Sequence, residues 1–326
     1  MKIMTTWAAA VLTAGVLVSA AQAENFKFAN YMAPTHPYVA STFEPFAKAV
    51  EEGTKGDLRI TVYNGGEMGA GPAEQYARAV DGVAEFSISL PGYTASTFPL
   101  TLAAELPGVL DEKTGTETIW KNIGLFQPEY KRVKLVALWS SAENIIYSAT
   151  KPIRSIDDIK GMKIRVPSRN SGELVSAWGG TPVSMPVSDV YNALQTGVID
   201  AAMIDGTATK AFRFGEVAEF VTLGMETTNS PFFIVMNRDA WDSLNDEQKA
   251  VVEEAGKQAS MNGQASQLRV AADGIETFAQ MEGREVIRLT PEQAVPFNQA
   301  AEEVTARIVD AIGSDAKDIV KALKAI

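Results

Sequence analysis

The sequence predicts an α/β protein that holds two sheet systems in one chain. Three observations carry this expectation. Short β-branched runs alternate with helix-like stretches, the alternation occurs twice, and the final third is almost continuously helix-like.

The first series opens with FKFAN at 26–30, whose alternation suits a half-buried strand, and breaks at MAPTHP. A helix-like stretch from Tyr38 to Glu52 follows, and then LRITVY (58–63) as a second strand. The glycine-rich turn NGGEMGAG leads into the helix-like PAEQYARAVDG, and AEFSISL reads as a third strand. Strand, helix, strand, helix, strand argues for a parallel sheet with helical crossovers.

The second series is better punctuated. KLVAL (134–138) and Asn144 to Ser148 read as strands, Ser155 can cap SIDDIKG, and Lys163 to Val166 is a strand that holds Arg165. Asn170 with Glu173 makes a capping-box pattern for SGELVSAWGG, and Ser188 can cap SDVYNALQTG. Strand-like VIDAAMI and FFIVMN come next. Asn245 and Gln248 then form a capping box for a helix that runs towards Gln280, and Thr290, Pro291 and Gln293 start another. A helix of that length reaches about 50 Å, enough to run along two lobes and tie them together.

The amino terminus bounds the compartment. Lys2 precedes an apolar run from Trp7 to Ala20, and Ala21-Gln22-Ala23 closes it with a small-x-small pattern, so residues 1–23 read as a secretory signal peptide. The run is shorter than the ~20 residues a membrane-spanning helix needs. With 0 Cys the fold does not depend on disulfides, and the expected location is the periplasm. Hydrophobic residues at 46% and charged residues at 21% describe an ordinary globular protein, whose length suits two domains. A formal charge of −11 argues against nucleic acid as a partner and means that an anionic ligand needs a local basic site.

Enzymatic readings lack parts. There is no thiolate nucleophile, and the single histidine, His36, cannot assemble a Cys/His zinc site, so neither metal nor cofactor is expected. His36 lies in MAPTHPY beside two prolines, with no GxSxG elbow in the chain, and suits loop packing or ligand contact better than general base work. NGGEMGAGP lacks the GxxxxGK[ST] phosphate pattern. It reads as a strand-to-helix loop from which Glu67 or a backbone N–H can touch ligand. Trp120, Trp139 and Trp178 suit core packing or pocket walls. Arg165 is the strongest candidate, because a guanidinium offers a planar fork that fits a carboxylate or sulfonate, although structural ion pairing competes for it.

The blocks KPIRSIDDIKGMKIRVP, GGTPVSMPVSDVYNALQTGVIDA and NRDAWDSLNDEQKAVVEEA are similar to the extracytoplasmic solute receptors of tripartite ATP-independent periplasmic (TRAP) transporters, of the dicarboxylate-binding type. MAPTHP, NGGEMGAG and ELPGVL fit the same pattern in collinear order. This resemblance implies a two-lobed periplasmic binding protein of the Venus flytrap kind, with a long helix linking both lobes. Lobe I is expected over 24–145 and 230–270, and lobe II over 146–229 and 271–326. It also implies a monomeric receptor that closes on one small organic anion, with Arg165 as the main salt bridge. The loaded receptor then docks on a small and a large membrane subunit driven by an ion gradient, commonly sodium.

Two departures from the family pattern bear on the ligand. Many members carry a second basic residue where this chain has Asn144, and many read Glu-Asn-Pro where it has Ile204 and Asp205. Losing a cation and gaining an acid disfavours a ligand with two acid groups. The expectation is a monocarboxylate or sulfonate whose other end offers a hydroxyl or amine to Asp205. Glu67, His36, Asn229 and Phe232 complete the candidate contacts. The competing readings are a receptor for an ATP-driven importer or sensor kinase, and a periplasmic hydrolase or isomerase that uses paired carboxylates.

Overall fold

A computed structural model describes residues 24–325, so the expected signal peptide lies outside the described residues. Among the described residues, eleven strands form two sheets. The first sheet has the order β2-β1-β3-β10-β4, from β1 (Glu24–Ala29), β2 (Leu58–Tyr63), β3 (Phe86–Ser89), β4 (Val133–Trp139) and β10 (Phe232–Asn237). The second has the order β11-β9-β5-β8-β6-β7, from β5 (Ile145–Ser148), β6 (Lys163–Val166), β7 (Thr181–Ser184), β8 (Ala201–Ile204), β9 (Phe220–Leu223) and β11 (Glu285–Arg288). β1, β2 and β3 are parallel, as are β6, β7 and β8, while β10 and β5 run antiparallel to their neighbours.

Each sheet buries both faces, because successive side chains of a strand point to opposite sides. In β10, Phe232, Ile234 and Met236 enter one apolar cluster, and Phe233 and Val235 enter the other. In β8, Ala201 and Met203 go one way, and Ala202 and Ile204 go the other. These runs therefore read as continuous apolar stretches, as parallel sheets covered on both faces do.

The chain crosses between lobes in the segments after β4 and before β10. The crossings bind each other: Asn144 N–H donates to the Thr228 carbonyl (3.0 Å), and Ser230 N–H donates to Ser141 Oγ (2.7 Å). A third crossing is the 35-residue helix Asp246–Gln280, started by the expected Asn245/Gln248 capping box. Its glycines allow close approach. Ser260 Oγ accepts the Leu138 N–H, so the helix covers the exposed edge of β4. A Cβ on Gly263 would lie 2.8 Å from the Trp139 ring, and one on Gly274 would lie 2.0 Å from the Gly206 carbonyl oxygen. Gly274→Ala should therefore destabilise the protein although alanine favours a helix interior by about 1 kcal/mol. A fall of several degrees in Tm is expected, and an unchanged or higher Tm would show that the helix can slide away from the second lobe.

The structure corrects several expectations. Helix Pro291–Ile312, which starts where expected and with a Thr290/Gln293 capping box, places Phe297 and Ala301 in the second lobe's core and Val304 and Ile308 in the first lobe's. The terminal helix Ser314–Lys324 buries Ile319 and Leu323 in the first lobe, so residues 271–326 are not confined to lobe II. Apolar spacing, which the terminal segment shares with any amphipathic helix, does not say which lobe it covers. Ser155 caps its turn with Asp158 as expected. The next helix, Arg169–Ala177, is capped by Ser168 and not Asn170, whose amide instead donates to the Leu102 carbonyl. Helix Val187–Gln195 follows Pro186, and Ser188 turns to Asp189 instead of capping it. Trp139 and Trp178 are core residues.

Candidate functional site

The carboxyl ends of the parallel strands of both sheets meet across one cavity, the position where open α/β sheets hold ligands. Tyr31 and Met32 follow β1, Leu90 and Tyr93 follow β3, Arg165 lies near the end of β6, and Asp205 follows β8. β10 runs the other way and brings Phe232, at its start, to the same edge. The cavity measures about 40 Å³, on a scale where one water needs about 10–15 Å³. It suits a compact molecule.

Arg165 is 1% exposed. Its Nε donates to the Met185 carbonyl (3.0 Å), Nη1 to the Met203 carbonyl (3.1 Å) and Nη2 to the Tyr93 hydroxyl (3.4 Å). Among the described residues no carboxylate lies within 4.0 Å of it, although the chain has 40 acids. Burial lowers its pKa, but a guanidinium stays charged in a protein. Three of five N–H donors are used on neutral oxygens, which leaves two and an unbalanced buried charge. Such a charge is costly unless an anion meets it.

At another wall of the cavity Asp205, 3% exposed, accepts the Thr207 N–H on Oδ1 (2.9 Å) and the Gln267 amide on Oδ2 (2.8 Å). Burial raises its pKa above the ordinary carboxylate value, and these hydrogen bonds pull it back. His36 is buried, and burial pushes its pKa down to about 4, so the ring is neutral at pH 7. Its Nδ1 accepts the Tyr38 N–H (3.3 Å), which puts the proton on Nε2. Aromatic rings form part of the remaining lining, beside aliphatic residues such as Met32, Leu90 and Val187: His36 packs on Phe212 with centroids 5.7 Å apart, and Phe232 stacks on Trp139 at 5.5 Å.

Of the residues singled out from sequence, Arg165, His36, Ile204, Asp205 and Phe232 line this cavity together. Asn144, Asn229 and Glu67 do not. The Asn144 side chain donates to Thr228 Oγ1 (3.0 Å), which joins the two crossing segments, and that of Asn229 donates to the Ala104 carbonyl (3.2 Å), which ties its crossing to the Thr101–Glu105 turn of the first lobe. Glu67 is exposed in its turn. The helix that follows β6 also turns its amino end elsewhere, with its cap Ser168 donating to the buried Glu105 carboxyl (2.7 Å). Sequence reasoning missed Tyr31, Tyr93, Phe212 and Gln267. None of them carried a signal in the sequence, because the burial of Gln267 on the glycine-rich face of its long helix shows only in the folded chain.

The profile of the family described as "Bacterial extracellular solute-binding protein, family 7" matches residues 28–311. The "Ectoine/5-hydroxyectoine-binding periplasmic protein UehA" of Ruegeria pomeroyi is 26% identical over 328 residues, covering 97% of this chain and 95% of that one. "Uncharacterized protein YiiZ" of Salmonella typhimurium is 28% identical over 214 residues, and the chain spans 65% of its length. A solved TRAP solute-binding protein from a marine metagenome, specific for aromatic acid ligands and in complex with metahydroxyphenylacetate, superposes with a TM-score of 0.84. It is 25% identical, covering 92% of this chain and 97% of that one.

Proposed function

The chain belongs to family 7 of the bacterial extracellular solute-binding proteins, and on that premise we propose that it is the periplasmic receptor of a TRAP transporter for one small organic monoanion. Membership makes it a solute receptor rather than an enzyme. The carrying observation is Arg165, a fully buried cation that faces the cavity with two donors to spare and no acid of its own chain beside it. A carboxylate or sulfonate takes both donors in a bidentate pair. The metagenomic relative's ligand, metahydroxyphenylacetate, is a compact compound with one carboxyl group, which supports the same class here.

The cavity lies between two lobes joined by three chain crossings and a helix shared at the carboxyl end, so binding is hinge closure on the ligand: the closed form is the one in which both walls touch it. The closed, loaded receptor, acting as a monomer, then hands the anion to membrane permease subunits for ion-gradient-driven uptake. No described helix is long and apolar enough to cross a membrane.

Thermal unfolding against a panel of organic acids tests this, because a ligand that binds only the folded state raises Tm with its concentration. Monoacids are expected to shift Tm. Asp205 at the cavity wall repels a second acid group, so succinate binding more tightly than every monoacid in the panel would sink the proposal.

A further inference from the structure

We propose that the ligand is a flat-ringed monoacid that carries a hydrogen-bond donor, a hydroxyl or amino group, on the part of the ring away from its acid, and that Gln267 sets the preference for this donor. The inference rests on the reading of Arg165 as the anchor of the acid group.

The argument begins at Trp139, whose indole N–H can only donate. It donates to the Tyr38 hydroxyl (3.1 Å), and Tyr38 passes its own proton to Gln267 Oε1. With Oε1 occupied as acceptor, the Gln267 amide is fixed so that Nε2 donates to Asp205 Oδ2 (2.8 Å). All the links point one way, from the first lobe through the long helix to the second. Asp205 is thereby held as an acceptor, and the Thr207 N–H donates to it as well. A carboxylate has about four lone-pair sites, so capacity remains at the cavity wall, and only a donor can use it.

The backbone contacts keep this arrangement rigid. Gly263 meets the Trp139 ring, and Gly274 and Ala271 meet Gly206 beside Asp205. Residues 263, 267, 271 and 274 share one helical face, so Gln267 sits between two points where the helix touches its neighbours at backbone distance. Tyr38 packs edge-on against Phe232 (5.4 Å), which Trp139 stacks from behind, so the same chain also fixes an aromatic wall. With His36 and Phe212 packed together elsewhere in the lining, the cavity offers flat faces, and aromatic side chains favour stacked or edge-on ring partners.

The test is calorimetry with benzoate, 3-hydroxybenzoate, 4-hydroxybenzoate, 3-aminobenzoate and hexanoate on the full mature chain. At least one hydroxyl or amino acid is expected to bind about tenfold tighter than benzoate, the scale of a hydrogen bond to a charged acceptor, and hexanoate more weakly than benzoate. Gln267→Met should cut the donor preference, read as the ratio of hydroxy- or aminobenzoate affinity to benzoate affinity in the same variant, to about threefold or less, whereas general loosening of the site weakens all the acids alike and leaves that ratio at about tenfold. Tyr38→Phe, which keeps the ring, should cut it partly and carries the test where Gln267→Met does not fold. Hexanoate binding as tightly as the ring acids, or a donor preference untouched in the variants, overturns the proposal. If only an aliphatic acid binds, and Arg165→Lys weakens it, the ring class fails while the anchor stands. If ring acids bind undiminished to Arg165→Lys, the anchor itself fails.

Discussion

Arg165→Met should abolish or nearly abolish ligand binding while leaving the empty protein as stable as before or more so. Truncating one partner of a buried charge pair typically costs about 2–5 kcal/mol, and about 1.4 kcal/mol is tenfold in Kd. The expected loss is therefore roughly thirtyfold to several thousandfold. The stability half follows from what Arg165 touches. Its partners are two carbonyls and a hydroxyl, so in the absence of an anion it is a buried charge with no opposite charge to offset its desolvation. An apolar side chain of similar length removes that penalty. A structural arginine would behave in the opposite way, since deleting one member of a buried pair lowers Tm. Calorimetry and unfolding of the same variant separate the two roles: an unchanged Kd removes Arg165 from the site, and a large fall in Tm assigns it to the framework.

What the sequence made legible follows from which signals are local. The starts at Ser155, Asn245 and Thr290 depend on residues three apart and appear as expected, whereas the Asn170/Glu173 box, read from the same spacing, does not form because Ser168 caps that helix. Arg165 was visible as the cation at the end of a short strand within a family-like block, and Asp205 as a departure from the family pattern. Strands β7, β9 and β11 were not anticipated. β7 (TPVS) is mostly exposed and β11 (EVIR) partly so, so they lack the buried alternation that marks a strand, and they form by pairing with distant neighbours.

The site was half legible for the same reason. Asn144 was reached by counting along the chain, yet the fold turns it to Thr228 and Ser230, across the segments where the lobes join. Tyr31, Tyr93 and Gln267 lie far apart in sequence and meet only when the two sheets face each other. A polar residue in a long helix is ordinary until its neighbours are known. The relay from Trp139 to Asp205 spans both lobes and has no linear trace.

Glu105 should make stability fall as pH rises, and Glu105→Gln should remove that fall. It is 1% exposed in the first lobe, and burial pushes its pKa up to about 8 against the hydrogen bonds from Ser168 and Asn170 that pull it down. Below the unfolded value, about 4.5, both states hold the proton and the group contributes nothing to the pH dependence. Between about 4.5 and 8 the unfolded chain gives up its proton and the folded one keeps it, so the folded state loses ground through that window and the curve flattens above it. At about 1.4 kcal/mol per pH unit this amounts to a few kcal/mol at most. Glu129, also pushed up by burial, acts with the same sign, whereas Asp111 and Asp158, held low by hydrogen bonds, lose their contribution only towards acid. The difference between wild type and Glu105→Gln therefore isolates the group. Tm should match near pH 4.5 and be several degrees higher in the variant at pH 8. Because Ser168 caps a helix of the second lobe, the buried carboxyl of Glu105 takes part in a contact between the lobes. Raising pH should then weaken ligand binding in the wild type and leave it level in Glu105→Gln. Equal pH slopes in the two proteins would remove Glu105 from both the stability and the closure of the receptor.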